Sequence, residues 1–303
     1  MTSEPALEAV VNISEGRRPE VIDALGAACG TALLDVHSDV DHDRSVFTVI
    51  GGTPRETETA VRQLADAVAD GPLDLHESDG VHPRLGILDV VPFVALDDTD
   101  EKIAVDAARA FARWLAATHA IPVFLYDEAD PERRSLPETR RDAFAIRRPD
   151  FGPASAHPRL GATAVGARKP MVAVNCELDT DDLAVARGIA DAVRERNGGL
   201  TGVRALGFPL ASRGRVQVSM NLVDLAATGL DVACERVREL ARAAGQGVTA
   251  VEIVGLVPAS ALAGASPGFS AWSGVTAERT IEAARARAAA ANGSAGAGGP
   301  TAP

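Results

Sequence analysis

The sequence predicts an α/β protein of the α+β kind, built as two ferredoxin-like β-α-β-β-α-β subdomains whose mixed sheets are covered by helices. Two observations carry that prediction. Strand-like and helix-like segments follow one another in the same order in both halves of the chain. The 303 residues, 46% of them hydrophobic, can also bury one large core or two modest ones, which excludes disorder for most of the length.

A first strand is predicted over residues 7–12, then a helix over 18–29 closed by Gly30, a residue suited to the left-handed position that ends a helix. Strands follow over 31–37 and 45–50. Val61, Leu64, Ala65 and Val68 recur at helical spacing within 54–69, where Pro54 is tolerated in the first turn. A β-rich run over 87–94 completes the first unit. A strongly amphipathic helix over 100–118 and a strand over 121–126 extend its sheet. Residues 131–158, rich in arginine and proline, predict a turn or two of helix and then an ordered loop.

The rhythm then repeats, with strands over 171–176, 203–209, 216–222 and 248–257 and helices over 181–196 and 230–244. The expected join lies near Asp179, giving subdomains 1–178 and 179–291, though the strand over 171–176 could belong to either sheet. A last helix is predicted over 276–291. Residues 292–303, all Gly, Ala, Pro, Ser, Thr and Asn, are expected to form a disordered tail.

Net charge is −12, which argues against general affinity for nucleic acid or an anionic membrane surface. No apolar run approaches the roughly 18 to 20 residues of a membrane span, and residues 1–10 lack a basic-then-apolar leader pattern. A cytoplasmic protein is expected. Cys29, Cys176 and Cys234 are far apart in sequence and read as small buried hydrophobes rather than a disulfide framework or metal site.

Several motifs carry no chemistry. Gly264-Ala265-Ser266-Pro267-Gly268 matches a nucleophile elbow, but the residue after the serine must donate its N–H to an oxyanion hole, and Pro267 has none; a flexible loop is expected. Residues 161–166 imitate a phosphate loop, yet Ala167 stands where its lysine must be.

Others remain open. Asp35, His37, Asp39, Asp41 and Asp43 alternate, which reads as a solvated loop, a metal site, or a carboxylate at Asp39 that orients a catalytic histidine. His82-Pro83-Arg84-Leu85-Gly86 recurs as His157-Pro158-Arg159-Leu160-Gly161. Proline restrains the residue before it to extended geometry, so each histidine should sit rigidly at a strand entrance. An imidazole with an ordinary pKa of about 6.5 suits proton transfer, although such histidines also cap backbone groups. Gly161 and Gly166 followed by Arg168 and Lys169 suit a flat or carboxylate-bearing ligand, or a tight turn with two surface charges.

Six segments together resemble the glutamate formimidoyltransferase (formiminotransferase) family. They are Val11-Asn12-Ile13-Ser14-Glu15-Gly16-Arg17, Asp39-Val40-Asp41-His42-Asp43-Arg44-Ser45-Val46-Phe47-Thr48, the first His-Pro-Arg-Leu-Gly copy, residues 161–169, Gln217-Val218-Ser219-Met220-Asn221-Leu222, and Glu252-Ile253-Val254-Gly255-Leu256-Val257-Pro258. The resemblance spans residues 6–262. It implies transfer of the formimino group of N-formimino-L-glutamate to N5 of tetrahydrofolate in histidine degradation, without a metal, with folate held in a cleft between the subdomains of a homodimer.

It further implies His82 as the catalytic acid-base, assisted by Asp39. The folate contacts would be Gly161, Ala162, Thr163, Ala164, Val165, Gly166, Ala167, Arg168, Lys169 and Pro170. Arg44 and Arg84 are candidate grips for substrate carboxylates, and Asn12, Gln217 and Asn221 are candidate amide partners. With no cyclodeaminase domain in this sequence, the product is expected to pass to a separate cyclodeaminase. The alternatives are a related folate enzyme, acting on formiminoglycine or cyclising 5-formyltetrahydrofolate, and a non-catalytic folate-binding protein.

Overall fold

The computed structural model of the chain describes residues 5–296, which divide into two units, Met1–Pro170 and Met171–Pro303. The first holds a six-stranded sheet of order β2-β3-β1-β4-β6-β5, formed by β1 (Ala6–Ile13), β2 (Leu33–Asp39), β3 (Arg44–Val49), β4 (Leu88–Leu96), β5 (Val123–Asp127) and β6 (Thr163–Ala167). Along β2-β3-β1-β4 each strand is antiparallel to its neighbour, the ferredoxin-like arrangement, while β6 runs parallel to both β4 and β5.

Helices α1 (Pro19–Ala28), α2 (Pro54–Asp70) and α3 (Glu101–His119) supply the apolar layer over this sheet. The reason lies in their spacing. Ala60, Val61, Leu64, Ala65 and Val68 form one buried stripe on α2, and Ala104, Ala107, Ala108, Phe111, Ala112 and Leu115 form one on α3. Thr53 and Asp100 cap the two helices by accepting the N–H of Glu56 and Lys102. Leu7, Ala9, Val11, Ile13, Phe47 and Val49 meet these stripes, and the alternate residues Glu8, Asn12, Arg44 and Thr48 turn to the other face of the sheet. A short helix, α4 (Leu136–Asp142), interrupts the arginine-rich segment as expected, and its Ser135–Glu138 capping box fixes its start.

The second unit is a four-stranded sheet, order β10-β7-β9-β8, formed by β7 (Val172–Leu178), β8 (Val203–Leu210), β9 (Arg215–Leu222) and β10 (Val248–Ile253). All its pairings are antiparallel, so only the first sheet is mixed. α5 (Leu183–Val193) and α6 (Leu230–Ala243) cover it. β7, the strand that could have belonged to either sheet, lies between β9 and β10, and the two units divide at Pro170/Met171.

Of the loop expected around Gly264, residues 264–266 form the short turn between α7 (Ser260–Ala263) and α8 (Pro267–Ser273), and Pro267 and Gly268 belong to α8. Pro267 starts α8, and buried Phe269 meets Trp272 edge-on. The final helix, α9, runs Ile281–Gly296, past the expected end at Ala291. Of the tail expected over 292–303, residues 297–303 lie outside the described residues. Cys29, Cys176 and Cys234 are buried free thiols. Among the described residues no helix is long and apolar enough to cross a membrane.

Candidate active site

At one end of the first sheet the antiparallel ladder breaks. Asn12 pairs with Val90 and Ile13 with Leu88, so Asp89 is an extra residue in β4, a β-bulge that changes the direction of its side chain. Asp89 is fully buried. Its Oδ2 accepts from Nη1 of Arg44 at 2.8 Å and from Nη2 of Arg140 on α4, while its Oδ1 accepts the Leu85 N–H at 2.6 Å. Arg44 is itself only 9% exposed, and its Nε donates to Oδ1 of Asn12 at 3.1 Å. The two guanidinium groups and the Leu85 N–H outweigh burial and hold the Asp89 carboxyl below the usual carboxylate range.

Beside this cluster three backbone segments interlock. Asp39 ends β2, and its Oδ1 accepts the N–H groups of Asp41 and His42, both at 2.8 Å, a turn built on an aspartate side chain. Asp43 follows in the left-handed region, with φ 45°. Its carboxylate accepts the Gly16 N–H at 3.2 Å and the Ser78 hydroxyl at 2.6 Å, and lies 3.5 Å from Arg84. Neither Gly16 nor Gly80 has room for a Cβ, because the carbonyl oxygens of Asp39 and His42 occupy that space. The alternating acidic row is therefore not one extended face, and its carboxylates Asp39 and Asp43 bind backbone and neighbouring side chains.

His82 is half-buried at the edge of this assembly, with its ring centroid 5.9 Å from that of His42. Its Nδ1 lies 2.8 Å from the Pro83 carbonyl oxygen. A carbonyl only accepts, so Nδ1 carries the proton and the lone pair of the neutral ring sits on Nε2. Burial first, then the charges of Arg44 and Arg140, lower the imidazole pKa well below its ordinary value.

The remaining predicted residues fall elsewhere or serve the protein itself. Arg84 donates to the carbonyls of His42 at 3.0 Å, His82 at 3.3 Å and Asp43 at 3.4 Å, and to Ser78. It ties the loops together and its fork faces inward. Asn12 is likewise engaged at both ends, since its amide nitrogen donates to the Val10 carbonyl at 2.8 Å. The second His-Pro-Arg copy is structural in its contacts: Nδ1 of His157 accepts the N–H of Arg159 and Leu160, and the Arg159 guanidinium gathers the carbonyls of Ala69, Gly71 and Leu73 at the end of α2.

The stretch from Gly161 to Pro170 contains a strand. Residues 161–167 are buried and five of them form β6, between β4 and β5. The close approach allowed by Gly166 is to the Tyr126 ring, which fills the space of a Cβ. Arg168, Lys169 and Pro170, at its end, reach the surface. In the second unit, Gln217 is buried and Asn221 exposed on the face of β9 opposite Val216, Val218 and Met220. That face also carries Asn175, whose amide donates to Glu252 at 3.0 Å.

Sequence reasoning passed over Asp89 and Arg140. Asp89 left one signal, a lone carboxylate inside the apolar run Ile87-Leu88-Asp89-Val90-Val91. Arg140 left none beyond the basic character of its segment.

Residues 6–168 match the model of the formiminotransferase domain, N-terminal subdomain, and residues 173–276 match that of the formiminotransferase domain, the two meeting where the structure divides. The chain is 37% identical over 271 residues to the glutamate formimidoyltransferase of Streptococcus pyogenes serotype M1, covering 84% of this chain and 90% of that protein. It is 38% identical over 275 residues to that of Thermoplasma acidophilum, covering 84% and 89%. Against the mouse formimidoyltransferase-cyclodeaminase it is 36% identical over 277 residues, but these span 51% of the mouse protein.

Proposed function

The chain belongs to the formiminotransferase family, and we infer from that membership that it is a glutamate formimidoyltransferase, a one-carbon transferase moving the formimino group of N-formimino-L-glutamate to N5 of tetrahydrofolate. The observation that carries the mechanism is His82, a ring held neutral by burial and by two guanidinium groups, with its proton fixed on Nδ1 by the Pro83 carbonyl.

In this reading Nε2 of His82 accepts the proton that leaves N5 as the bond from N5 to the amidine carbon forms. The imidazolium then returns that proton to the glutamate nitrogen as its bond to the same carbon breaks, releasing glutamate. Charge and atoms balance, and the ring ends as it began. Asp39 acts as a positioning residue, through the turn that sets His42 against His82. Asn12 and Arg84 hold Arg44 and the loops. Arg168 and Lys169, at the exposed end of β6, are the proposed folate contacts of the first unit.

A homodimer in the cytoplasm, feeding a cyclodeaminase, completes the proposal; the joint name of the mouse relative supports consecutive reactions. The test is to mix purified protein with formiminoglutamate and tetrahydrofolate and to follow the ultraviolet change of 5-formiminotetrahydrofolate formation. Formiminoglycine and 5-formyltetrahydrofolate serve as competing substrates. Turnover confined to formiminoglutamate supports the reading, and tight folate binding without turnover of any donor contradicts it.

A further inference from the structure

The buried cluster beside His82 does not balance its own charge. Arg44 and Arg140 both bind Oδ2 of Asp89, and the other oxygen of that carboxylate is taken by the Leu85 N–H. Asp43, in the interlocked loops, faces Arg84 and Arg17 instead. Arg140 is 17% exposed, and its Nε–H is buried with no acceptor among the described residues. Two shielded guanidinium groups against one carboxylate leave an excess positive charge and an unused donor, an arrangement costly to bury unless an anion joins it.

We propose that Arg140, with Arg44, is the specificity element for the donor and grips the α-carboxylate of N-formimino-L-glutamate. The inference rests on the transferase reading above. Chemistry selects the α-carboxylate. It lies three bonds from the amidine carbon, so a group held at the Arg44–Arg140 pair presents that carbon to the neighbouring imidazole. The carboxylates of folate are separated from N5 by the whole p-aminobenzoyl group and do not reach the same place while N5 is at His82. Guanidinium forks suit a planar carboxylate, and charge-assisted bonds shielded from water are the strong ones. Asp89 then has a second role: it holds the two forks apart from solvent and aimed, while leaving one charge for the substrate.

The arrangement makes Arg140 separable from folding. Arg140→Met leaves Arg44 and Asp89 as a balanced buried pair, so the thermal midpoint is expected to stay at the wild-type value; a purely structural arginine would lower it. The experiment measures KM for formiminoglutamate and for tetrahydrofolate separately in wild type, Arg140→Met and Arg140→Lys. Loss of a charge-assisted contact raises the donor KM about 10- to 100-fold in Arg140→Met, with the folate KM unchanged and an intermediate value in Arg140→Lys. N-formimino-4-aminobutyrate, which lacks the α-carboxylate, is expected to be a poor donor for wild type and to lose that handicap in Arg140→Met.

Calorimetric binding of N-formyl-L-glutamate to wild type and Arg140→Met gives a readout independent of turnover. Binding that is lost in the variant supports the carboxylate site even if the transfer assay fails, which separates this inference from the reading beneath it. An unchanged donor KM with unchanged N-formyl-L-glutamate affinity overturns it, as does a rise in the folate KM alone.

Discussion

The Arg44 guanidinium meets the Asp89 carboxylate at 2.8 Å in a place almost closed to water, with Arg44 9% exposed and Asp89 fully buried. Burial acts first on Arg44 and lowers its pKa, the pull of Asp89 opposes it, and the like charges of Arg140 and Arg84 add to the lowering. The pair is held by the bulge that turns Asp89 out of the β4 ladder and by Asn12, which accepts from Nε of Arg44. Strand geometry thus determines where the positive charge near His82 lies.

Asp89→Asn keeps the shape of that side chain and removes its charge, leaving two shielded guanidinium groups around a neutral amide. A loss of about 3 to 5 kcal/mol in unfolding free energy is expected, the scale found when one partner of a buried pair is removed. Urea unfolding measures it. A loss below about 1 kcal/mol, the scale of exposed pairs, contradicts the burial argument.

The two His-Pro-Arg copies are expected to separate in function. Arg159→Ala frees the carbonyls of Ala69, Gly71 and Leu73 at the end of α2 and should cost about 1 to 3 kcal/mol of stability. The kcat of the folded enzyme should not change. His157→Gln should behave likewise, because that ring accepts two backbone N–H groups. A fall in kcat at constant folded fraction, read from steady-state kinetics beside circular dichroism, contradicts this assignment.

The pH dependence follows from the direction of the His82 shift. A base must be neutral to accept a proton, and burial with Arg44 and Arg140 lowers its pKa, so the acidic limb of kcat/KM should fall below about pH 6.5. Arg140→Met should move that limb upward. Stability has the same sign. The unfolded ring binds a proton below about pH 6.5 while the folded ring stays neutral, so this contribution is whole above that pH and is lost as pH drops toward the folded pKa. His82→Asn should remove that part of the slope in urea unfolding. A limb above pH 6.5 in the wild type contradicts the environment described for the ring.

The fold was legible because its signals are local: the helical stripes of α2 and α3, the capping residues and the repeated strand order all survive in short windows of sequence. The local setting of a candidate side chain was legible where its neighbours in sequence fix it, as Pro83 fixes His82 and the following turn fixes Asp39. It was not legible where the partner arrives from a distance. Gly161 and Gly166 read as a close approach to a ligand or as a tight turn, since nothing near them in sequence shows that Tyr126 takes up the space of a side chain at Gly166. Arg84 looked like a substrate grip because the carbonyls it binds belong mainly to the 42–43 turn. Arg140 could be found only through Asp89, whose bulge exists only once β1 and β4 pair.

The claim beneath all of this is that one neutral imidazole carries the proton between the two nitrogens. Its most direct test compares His82→Asn with wild type in single-turnover formation of 5-formiminotetrahydrofolate, with folate affinity measured on the same samples by fluorescence. We expect folate affinity to be retained and the transfer rate to fall about 100- to 10,000-fold, the usual worth of a positioned acid-base. A variant that binds folate normally and transfers the formimino group at the wild-type rate contradicts it.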